Sequence, residues 1–197
     1  RALGITSAEE QPVLPKGNNL SLHLLELFTS QVAKVGMTDG IRQVLQEESD
    51  ALRAYYEQAG ILIARPAGGT SCRLAISAKG GTNAENHNHN DVGSYAVALG
   101  SETMVGDQGG PNSYPGDYFN GDAPQKYKIK GSFGHPVPVV DGRTQSSGGK
   151  AKGVVLQKEF TNEKDVFSID YTSAYSTPNL DKLIRTFVYD RQGKGNF

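Results

Sequence analysis

Residues 60–81 read GILIARPAGGTSCRLAISAKGG, and the hydrophobic pattern changes within them from a helical period to strands. Two short apolar runs, 61–65 and 72–78, are each bounded by proline or paired glycines. Runs of this length between turn formers are typical of strands in an antiparallel sheet. We therefore predict a sheet that begins at residue 61.

The residues before this change carry a helical pattern. Apolar residues at helical spacing predict two helices, over about 20–32 and 38–59, with Gly60 ending the second. Residues 1–19 contain two prolines and are typical of an irregular connector. The sequence therefore predicts a helical segment over 1–60.

Every element predicted after residue 81 is a strand. The expected strands are 93–99, 102–105, 137–140, 153–159, 166–171 and 182–190. Gly100-Ser101 predicts a hairpin, and Asp141-Gly142 predicts a turn. Helices followed only by strands indicate the α+β class, with an antiparallel β-sandwich domain over 61–197. Residues 192–197 resemble a turn into a further strand, so we expect the sandwich to be incomplete at its C-terminus.

Charge and composition exclude several classes of protein. The 20 Lys and Arg residues nearly balance the 21 Asp and Glu residues, so no basic field is available to recruit nucleic acid. No apolar run approaches the roughly 20 residues that span a bilayer, and we expect no signal peptide within these residues. Cys72 is the single cysteine, which excludes an internal disulfide. The chain starts at Arg1 and not at Met, so we expect that an earlier segment has been removed.

The densest chemistry lies in NHNHND (86–91), which combines two imidazoles, a carboxylate and three amides. If this stretch is extended, His87, His89 and Asp91 point to one face and the asparagines to the other. That face would be able to titrate and to bind a metal. The alternative is a polar turn before a strand, because Asn and Asp favour turns.

Two further residues could complete a metal site. Asp107 follows the predicted strand 102–105, and His135 precedes the predicted strand 137–140. Nitrogen and oxygen donors from separate elements suit a divalent ion such as zinc. Each residue has a structural alternative, because Asp107 stands before a Gly-containing turn and His135 could be a loop histidine. Three of the four histidines fall in the predicted β region, which favours a site.

The loop between these two candidate ligands is long and rich in aromatic residues. It contains Tyr114, Tyr118 and Tyr127. A tyrosyl hydroxyl near a metal or an arginine can act as acid or base, and long loops are often functional. The same rings could instead cover the edge of the sheet. Alternating lysines over 126–130 indicate a positive face, which is either solvated or able to hold an acidic sugar.

Four segments carry a family resemblance: YEQAGILIAR (56–65), NHNHNDVGSY (86–95), VGDQG (105–109) and GHPVPVVDG (134–142). Together, and in this order, they resemble the heparinase II/III family of polysaccharide lyases, which also contains alginate and oligoalginate lyases. A weaker similarity continues in SIDYTSAY (168–175) and RTFVY (185–189).

The resemblance implies an architecture and a set of site residues. In that family an α/α toroid precedes an antiparallel β-sandwich, and the active site lies between them. Residues 1–60 would supply only the last helices of such a toroid. By resemblance, the metal ligands are His89, Asp107 and His135, and the metal is usually zinc.

The remaining roles also follow from the resemblance. His87 lines the cleft as a catalytic residue, and Asn86 helps to neutralise the substrate carboxylate. Tyr118 stands where some members carry a cleft tyrosine and is assigned a catalytic role. Tyr114 is the alternative for that position and is otherwise assigned to substrate binding. The implied reaction is β-elimination across a 4-linked uronic acid, in which the C5 proton is abstracted and the C4 oxygen is protonated.

The implied partners are an acidic polysaccharide or oligosaccharide and the missing N-terminal toroid of the same protein. The chain alone is therefore expected to be inactive. Polysaccharides are met in the periplasm or at the cell surface, so we expect the parent protein to be exported. No nucleic acid or membrane span is expected, and a homodimer is left open.

Two rival functions compete with the lyase. The pattern His-x-His-x-Asp suggests a metallo-hydrolase of the β-lactamase superfamily, although that pattern normally continues with a histidine where this chain has Val92. The other rival is a non-catalytic carbohydrate-binding or structural β domain stabilised by a metal. Metal analysis and an ultraviolet assay for unsaturated uronate would separate the three.

Overall fold

The computed structural model describes residues 51–106, 111, 113–193, 195 and 197. The strands in this part of the chain are β1 (Arg53–Tyr56), β2 (Ile61–Ala64), β3 (Leu74–Lys79), β4 (Thr82–Asn83), β5 (Tyr95–Leu99), β6 (Glu102–Val105), β7 (Gly148–Lys152), β8 (Val154–Phe160), β9 (Lys164–Asp170) and β10 (Ile184–Asp190). The described connections contain one short α-helix, α1 (Ala123–Lys126), and the 3-10 helices Lys128–Lys130, Ser132–Gly134 and Thr172–Ala174. The described chain is therefore β-rich.

The strands form three antiparallel sheets. The largest has the order β1-β2-β3-β5-β6, the second has the order β10-β9-β8, and β4 pairs with β7 in a short third sheet. Between β5 and β6, Gly100 has a φ of +62°, a conformation that glycine adopts without strain. The hairpin predicted at Gly100-Ser101 is thus confirmed.

The two larger sheets contribute to one hydrophobic core. Leu62 and Ile76 from the first sheet are no more than 1% exposed. Phe167 and Ile169 of β9 and Phe187 of β10 belong to the same cluster. Phe167 and Phe187 are direct partners across the antiparallel pair, with ring centroids 6.3 Å apart. Full burial of such a side chain contributes about 1.5–3 kcal/mol, so this cluster is the main source of stability.

A buried ionic cluster joins the beginning of the described chain to its end. Asp165 on β9 accepts a hydrogen bond from Arg53 Nε at 2.8 Å and forms a second ion pair with Arg191. The Arg191 guanidinium also donates to the carbonyls of Arg65 (2.8 Å) and Leu52 (2.9 Å). The Asp165 carboxylate is fully buried, and its two arginine partners offset the cost of burying it.

Seven predicted strands are confirmed, because β2, β3, β5, β6, β8, β9 and β10 lie within two residues of the expected limits. The strand predicted over 137–140 is wrong, since only an isolated bridge between Val140 and Arg143 forms there. Pro136 and Pro138 have no N–H to donate to a ladder, which explains the difference. The turn at Asp141-Gly142 is confirmed, with φ of +50° and +69°.

The second predicted helix is wrong where the structure describes it. Arg53–Tyr56 forms β1 and pairs with β2 instead of continuing a helix to residue 59. The Tyr55 ring packs against Phe160 at 5.6 Å and Phe167 at 5.8 Å, so tertiary burial outweighs the helical spacing. Residues 1–50, where the rest of the helical segment was predicted, lie outside the described residues.

The sequence predicted no membrane-spanning helix. Among the described residues, no helix is both long and apolar enough to do so.

Candidate functional site

The NHNHND stretch lies between β4 and β5, and it forms turns instead of an extended segment. The predicted common face of His87, His89 and Asp91 is therefore wrong. The backbone N–H of Asn88 donates to the carbonyl of Glu85 at 3.2 Å, which curls the chain before His89. The carboxylate of Asp91 instead forms an ion pair with Lys79 on β3, with 2.5 Å between Oδ1 and Nζ.

A layer of buried amides holds this loop from beneath. Gln145 Oε1 accepts hydrogen bonds from the Val92 N–H at 3.1 Å and from Asn83 Nδ2 at 2.9 Å, while Gln145 Nε2 donates to the Val92 carbonyl at 2.7 Å. Asn83 Oδ1 accepts from the Asp91 N–H at 3.2 Å, and Asn90 Nδ2 donates to the Gln145 carbonyl at 3.1 Å. These side chains are buried, so the hydrogen bonds among them fix the loop.

His89 and His135 meet beside this loop. His89 Nδ1 lies 3.0 Å from His135 Nε2. The other ring nitrogen of His89, Nε2, lies 3.5 Å from the hydroxyl of Tyr118. Three segments that are far apart in sequence thus place two imidazoles and one phenol in a row. His135 is buried, as is Tyr118.

The spacing of the facing His89 and His135 nitrogens is that of a hydrogen bond between the rings, and it is also compatible with a shared zinc ion. Two nitrogen ligands at about 2.0–2.1 Å from one tetrahedral zinc ion are about 3.3 Å apart, close to the 3.0 Å found here. The third predicted ligand, Asp107, lies outside the described residues. Within the described part of the chain, no three His, Cys, Asp or Glu side chains converge on one point. The described donors are thus two members of the predicted set of three.

His87 points elsewhere and has an unusual backbone. Its ring stacks on Phe119, with centroids 4.3 Å apart and planes inclined by 27°. Its φ is +58°, in the left-handed region that non-glycine residues seldom occupy. Strained residues of this kind persist where their surroundings hold them, and they cluster at functional sites. The structure therefore separates His87, on the rim of a cavity, from His89, beside His135.

The cavity beside His87 has a volume of about 520 Å³. This lies within the roughly 300–1,000 Å³ of typical small-molecule sites. Its wall includes Asn86 and His87 from the NHNHND stretch, Lys130 from a 3-10 helix, and Phe119 from the loop that carries Tyr114, Tyr118 and Tyr127, here called the tyrosine loop. It is therefore lined by several polar groups and one aromatic ring, a composition that suits a sugar better than an apolar ligand.

The tyrosine loop packs its rings together over the site. Tyr118 is 1% exposed, and the ring of Tyr114 packs 5.0 Å from it while remaining 57% exposed. Burial, and then the neighbouring Tyr114, raise the pKa of the Tyr118 hydroxyl, so this phenol is a weaker acid than an exposed tyrosine. Of the two candidate tyrosines, Tyr114 is the accessible one and Tyr118 is the one next to His89.

The alternating lysines do not form one positive face. Lys126 is exposed and forms an ion pair with Asp117, which also accepts a hydrogen bond from Tyr127 at 2.5 Å. These bonds lower the pKa of the Asp117 carboxyl. Lys128 is exposed, whereas Lys130 is 3% exposed. The segment is helical and not extended, so successive lysines point in different directions.

No protein-family model matches the chain, and no curated protein matches it significantly. The resemblance to the heparinase II/III family therefore depends on the four segments quoted above. Residues from two of them, His89 and His135, are in contact in the structure.

Several residues of the site were not predicted from the sequence. Gln145 and Asn83 are buried polar residues near the loop, and Phe119 forms the ring beneath His87. The proline-flanked turn before Gln145 gives no indication of its hydrogen bonds. Lys130 carried a weak signal, because it closes the lysine alternation next to the glycines before His135.

Proposed function

We propose that this chain is part of a polysaccharide lyase that cleaves 4-linked uronic acid polymers, of the alginate or glycosaminoglycan type, by β-elimination. The observation that carries the proposal is that the two histidines of NHNHND (86–91) lie in different places. His89 lies against His135, and His87 lines a cavity next to Asn86. A binding site beside a paired-histidine centre is the arrangement that the resemblance implies.

In the proposed architecture, the two larger sheets are the faces of a β-sandwich, and a helical toroid N-terminal to them supplies the opposite wall of the cleft. The shared core between those sheets supports the first part of this proposal. The whole protein would then have the α+β class. Export to the periplasm or the cell surface belongs to the same proposal, because its polymeric substrate is met there.

Elimination requires that the carboxylate beside C5 be neutralised before the proton at C5 leaves. The Asn86 amide can donate a hydrogen bond to this carboxylate from the cavity wall. The exposed imidazole of His87 can accept a proton or donate one at the same wall. Its stacking on Phe119 fixes the plane in which it does so.

Protonation of the C4 oxygen requires an acid, and the hydroxyl of Tyr118 is the proposed one because a phenol is protonated at neutral pH and this one lies beside His89. Since Tyr118 is 1% exposed, it reaches a substrate only when neighbouring side chains move. Tyr114, at the surface of the same ring cluster, is proposed to bind the sugar.

A divalent ion, which we propose to be zinc, would be held by His89, His135 and Asp107. It would supply positive charge at the site and order its ligands. In this role His135 and His89 anchor the loop that presents His87 and Asn86. The Tyr118 hydroxyl near His89 Nε2 is then an outer partner that orients the ligand, a common feature of histidine metal sites.

A carbohydrate-binding domain without catalysis is the second candidate. It is favoured by the exposed rings of Phe119 (47%) and Tyr114 (57%), which offer flat apolar surfaces to a sugar. The metallo-hydrolase is less well supported, because Asp91 is engaged with Lys79 instead of standing beside the histidines.

The test is to compare this chain with an N-terminally extended version on alginate, heparan sulfate and other uronates. Product formation is followed by the ultraviolet absorbance of the unsaturated uronate. We expect elimination by the extended protein only, since proximity and orientation of both walls contribute roughly 7–11 kcal/mol to catalysis. Binding without elimination by the extended protein would favour the second candidate.

A further inference from the structure

Among the described residues, Lys130 is buried without a counter-charge. It is 3% exposed, and its ammonium donates one hydrogen bond, to the carbonyl of Tyr118 at 2.7 Å. It also lies over two rings, 4.7 Å from the centroid of Tyr118 and 5.1 Å from that of Phe119. In the described part of the chain, no carboxylate forms an ion pair with it.

Burying a lysine in this way is costly. Lysine is almost never fully buried unless it is paired, and an ammonium has three N–H groups to satisfy. One carbonyl satisfies one of them, and the two rings add electrostatic attraction. Desolvation accordingly lowers the pKa of the Lys130 amine. A methionine of similar length would avoid this cost, so the charge itself calls for an explanation.

The cavity beside His87 contains a second unsatisfied group. Asn90 is 1% exposed and lines the same cavity as Lys130. Its Nδ2 donates to the carbonyl of Gln145 and to Ser147 Oγ (3.0 Å), and its Oδ1 accepts no hydrogen bond. Because the Gln145 carbonyl requires a donor, the orientation of the Asn90 amide is fixed and the acceptor is the free atom.

One cavity therefore presents a buried cation and a buried, unused acceptor. The complement of this pair is a ligand that has an anionic group and a hydroxyl. Glu85 and His87 are the other titratable side chains on the cavity wall. With one lysine and one glutamate on its wall, the cavity suits a single negative charge better than a multiply charged phosphate or sulfate ester. A sugar carboxylate beside a sugar hydroxyl meets all of these conditions.

We propose that Lys130 is a substrate-binding residue whose ammonium pairs with a uronate carboxylate in this cavity, while Asn90 Oδ1 accepts a hydrogen bond from a hydroxyl of the same ligand. The identity of the anion as a uronate rests on the proposed function. The ligand carboxylate would then receive a charge-assisted hydrogen bond from Lys130 in addition to the neutral hydrogen bond from Asn86, which lines the same cavity.

The test compares Lys130→Met with Lys128→Met, a matched control two residues away whose lysine is exposed. Binding of a trimannuronate and of its carboxyl-reduced, neutral counterpart is measured by NMR titration, with this chain and with the N-terminally extended protein. We expect the wild type and Lys128→Met to bind the charged trimer alike. Lys130→Met should bind it about tenfold or more weakly, the effect of a lost charge-assisted bond. The neutral trimer should not distinguish the three proteins.

A melting experiment separates this role from a structural one. If Lys130 is retained for its ligand, Lys130→Met should melt at the same temperature or higher, because an unpaired buried charge has been removed. A lower melting temperature together with unchanged affinity would overturn the inference. Lys130→Gln, which keeps a donor for the Tyr118 carbonyl, provides the same comparison if the methionine variant does not fold.

The outcomes for Lys130 and for the lyase are distinguishable. Equal binding of the trimer by wild type, Lys130→Met and Lys130→Gln overturns the Lys130 inference and leaves the proposed function intact. Elimination activity is measured separately, on the extended protein. If the wild type binds inorganic phosphate in this cavity but not the trimer, the assignment of the ligand as a uronate is wrong.

Discussion

Replacing the buried Gln145 by leucine should destabilise the fold strongly, because this side chain holds the NHNHND loop from beneath. Leucine has a similar volume but removes every side-chain hydrogen bond that Gln145 makes. Val92 is fully buried, and among the described residues Gln145 is the hydrogen-bond partner of both its N–H and its carbonyl. Asn83 Nδ2 loses one partner but keeps the carbonyl of Ser146 at 2.8 Å.

The magnitude follows from the Val92 groups. Each buried donor or acceptor left unsatisfied costs about 1–3 kcal/mol, so the N–H and the carbonyl of Val92 together cost about 2–6 kcal/mol. A typical domain has about 5–15 kcal/mol of stability, so the variant should fold but unfold at much lower denaturant. Urea unfolding monitored by tyrosine fluorescence measures this difference.

The matched control is Gln125→Leu. Gln125 is exposed and donates one bond, to Ser147 Oγ at 3.3 Å, so its loss should change the free energy of unfolding by less than about 0.5 kcal/mol. NMR spectra should also show the amide signals of residues 86–92 shifting in Gln145→Leu only. Equal stability of the two variants would refute the view that Gln145 holds the loop.

Three further predictions follow from the site and the core. Zinc at about 100 times its Kd should stabilise the chain by about 2.7 kcal/mol. This gain should be lost in His89→Ala and Asp107→Asn but kept in His87→Asn. Thermal melting with and without a chelator measures it. Raising the pH above about 10 should unfold the chain, because burial raises the pKa of Tyr171, Tyr175 and Tyr189. Above that pH the folded state keeps protons that the unfolded state releases, so the free energy of unfolding falls, whereas below it this contribution to stability is fully present. Tyrosinate absorbance should therefore appear together with unfolding. Gly131→Ala should cost about 1–3 kcal/mol in urea unfolding, because its Cβ would lie 2.6 Å from the Pro124 carbonyl oxygen, whereas Gly121→Ala, with open space around it, should be neutral.

Each of these has a contrary result. Zinc stabilisation that survives in His89→Ala would remove His89 from the ligand set, and its loss in His87→Asn would add His87. Tyrosinate formation near pH 10 without unfolding would mean that the three phenols are not protected by the core. Equal stability of Gly131→Ala and Gly121→Ala would show that α1 and the following 3-10 helix can move apart.

The strands were predictable where short apolar runs stand between turn formers, as at β2 and at the β5–β6 hairpin. Prediction failed where a long-range contact decides the structure. Tyr55 has a helical spacing to its neighbours, yet it lies in β1 because its ring packs on Phe160 and Phe167. β4 and β7 are short and polar, so no hydrophobic alternation marks them.

The candidate site shows the same division. The histidines were identifiable because residues 86–91 concentrate two imidazoles, a carboxylate and three amides, but the directions of their side chains were not. The prediction of alternating faces assumes an extended chain. The chain instead turns at His87, whose φ is in the left-handed region, so the faces do not alternate. Lys130 and Gln145 have roles only through residues more than ten positions away, so local pattern could not reveal them.

The ionic cluster around Asp165 has a consequence for the order of folding. Arg53 and Arg191 bind the same carboxylate across 138 residues of chain, and the Arg191 guanidinium also binds the backbone beside β1. The first described strand therefore cannot reach its final environment until the last one has been synthesised. Contacts of such long sequence separation slow folding and leave strand edges exposed in the meantime. During synthesis, β1 can pair with β2 but lacks its contacts with Arg191 until that residue has left the ribosome.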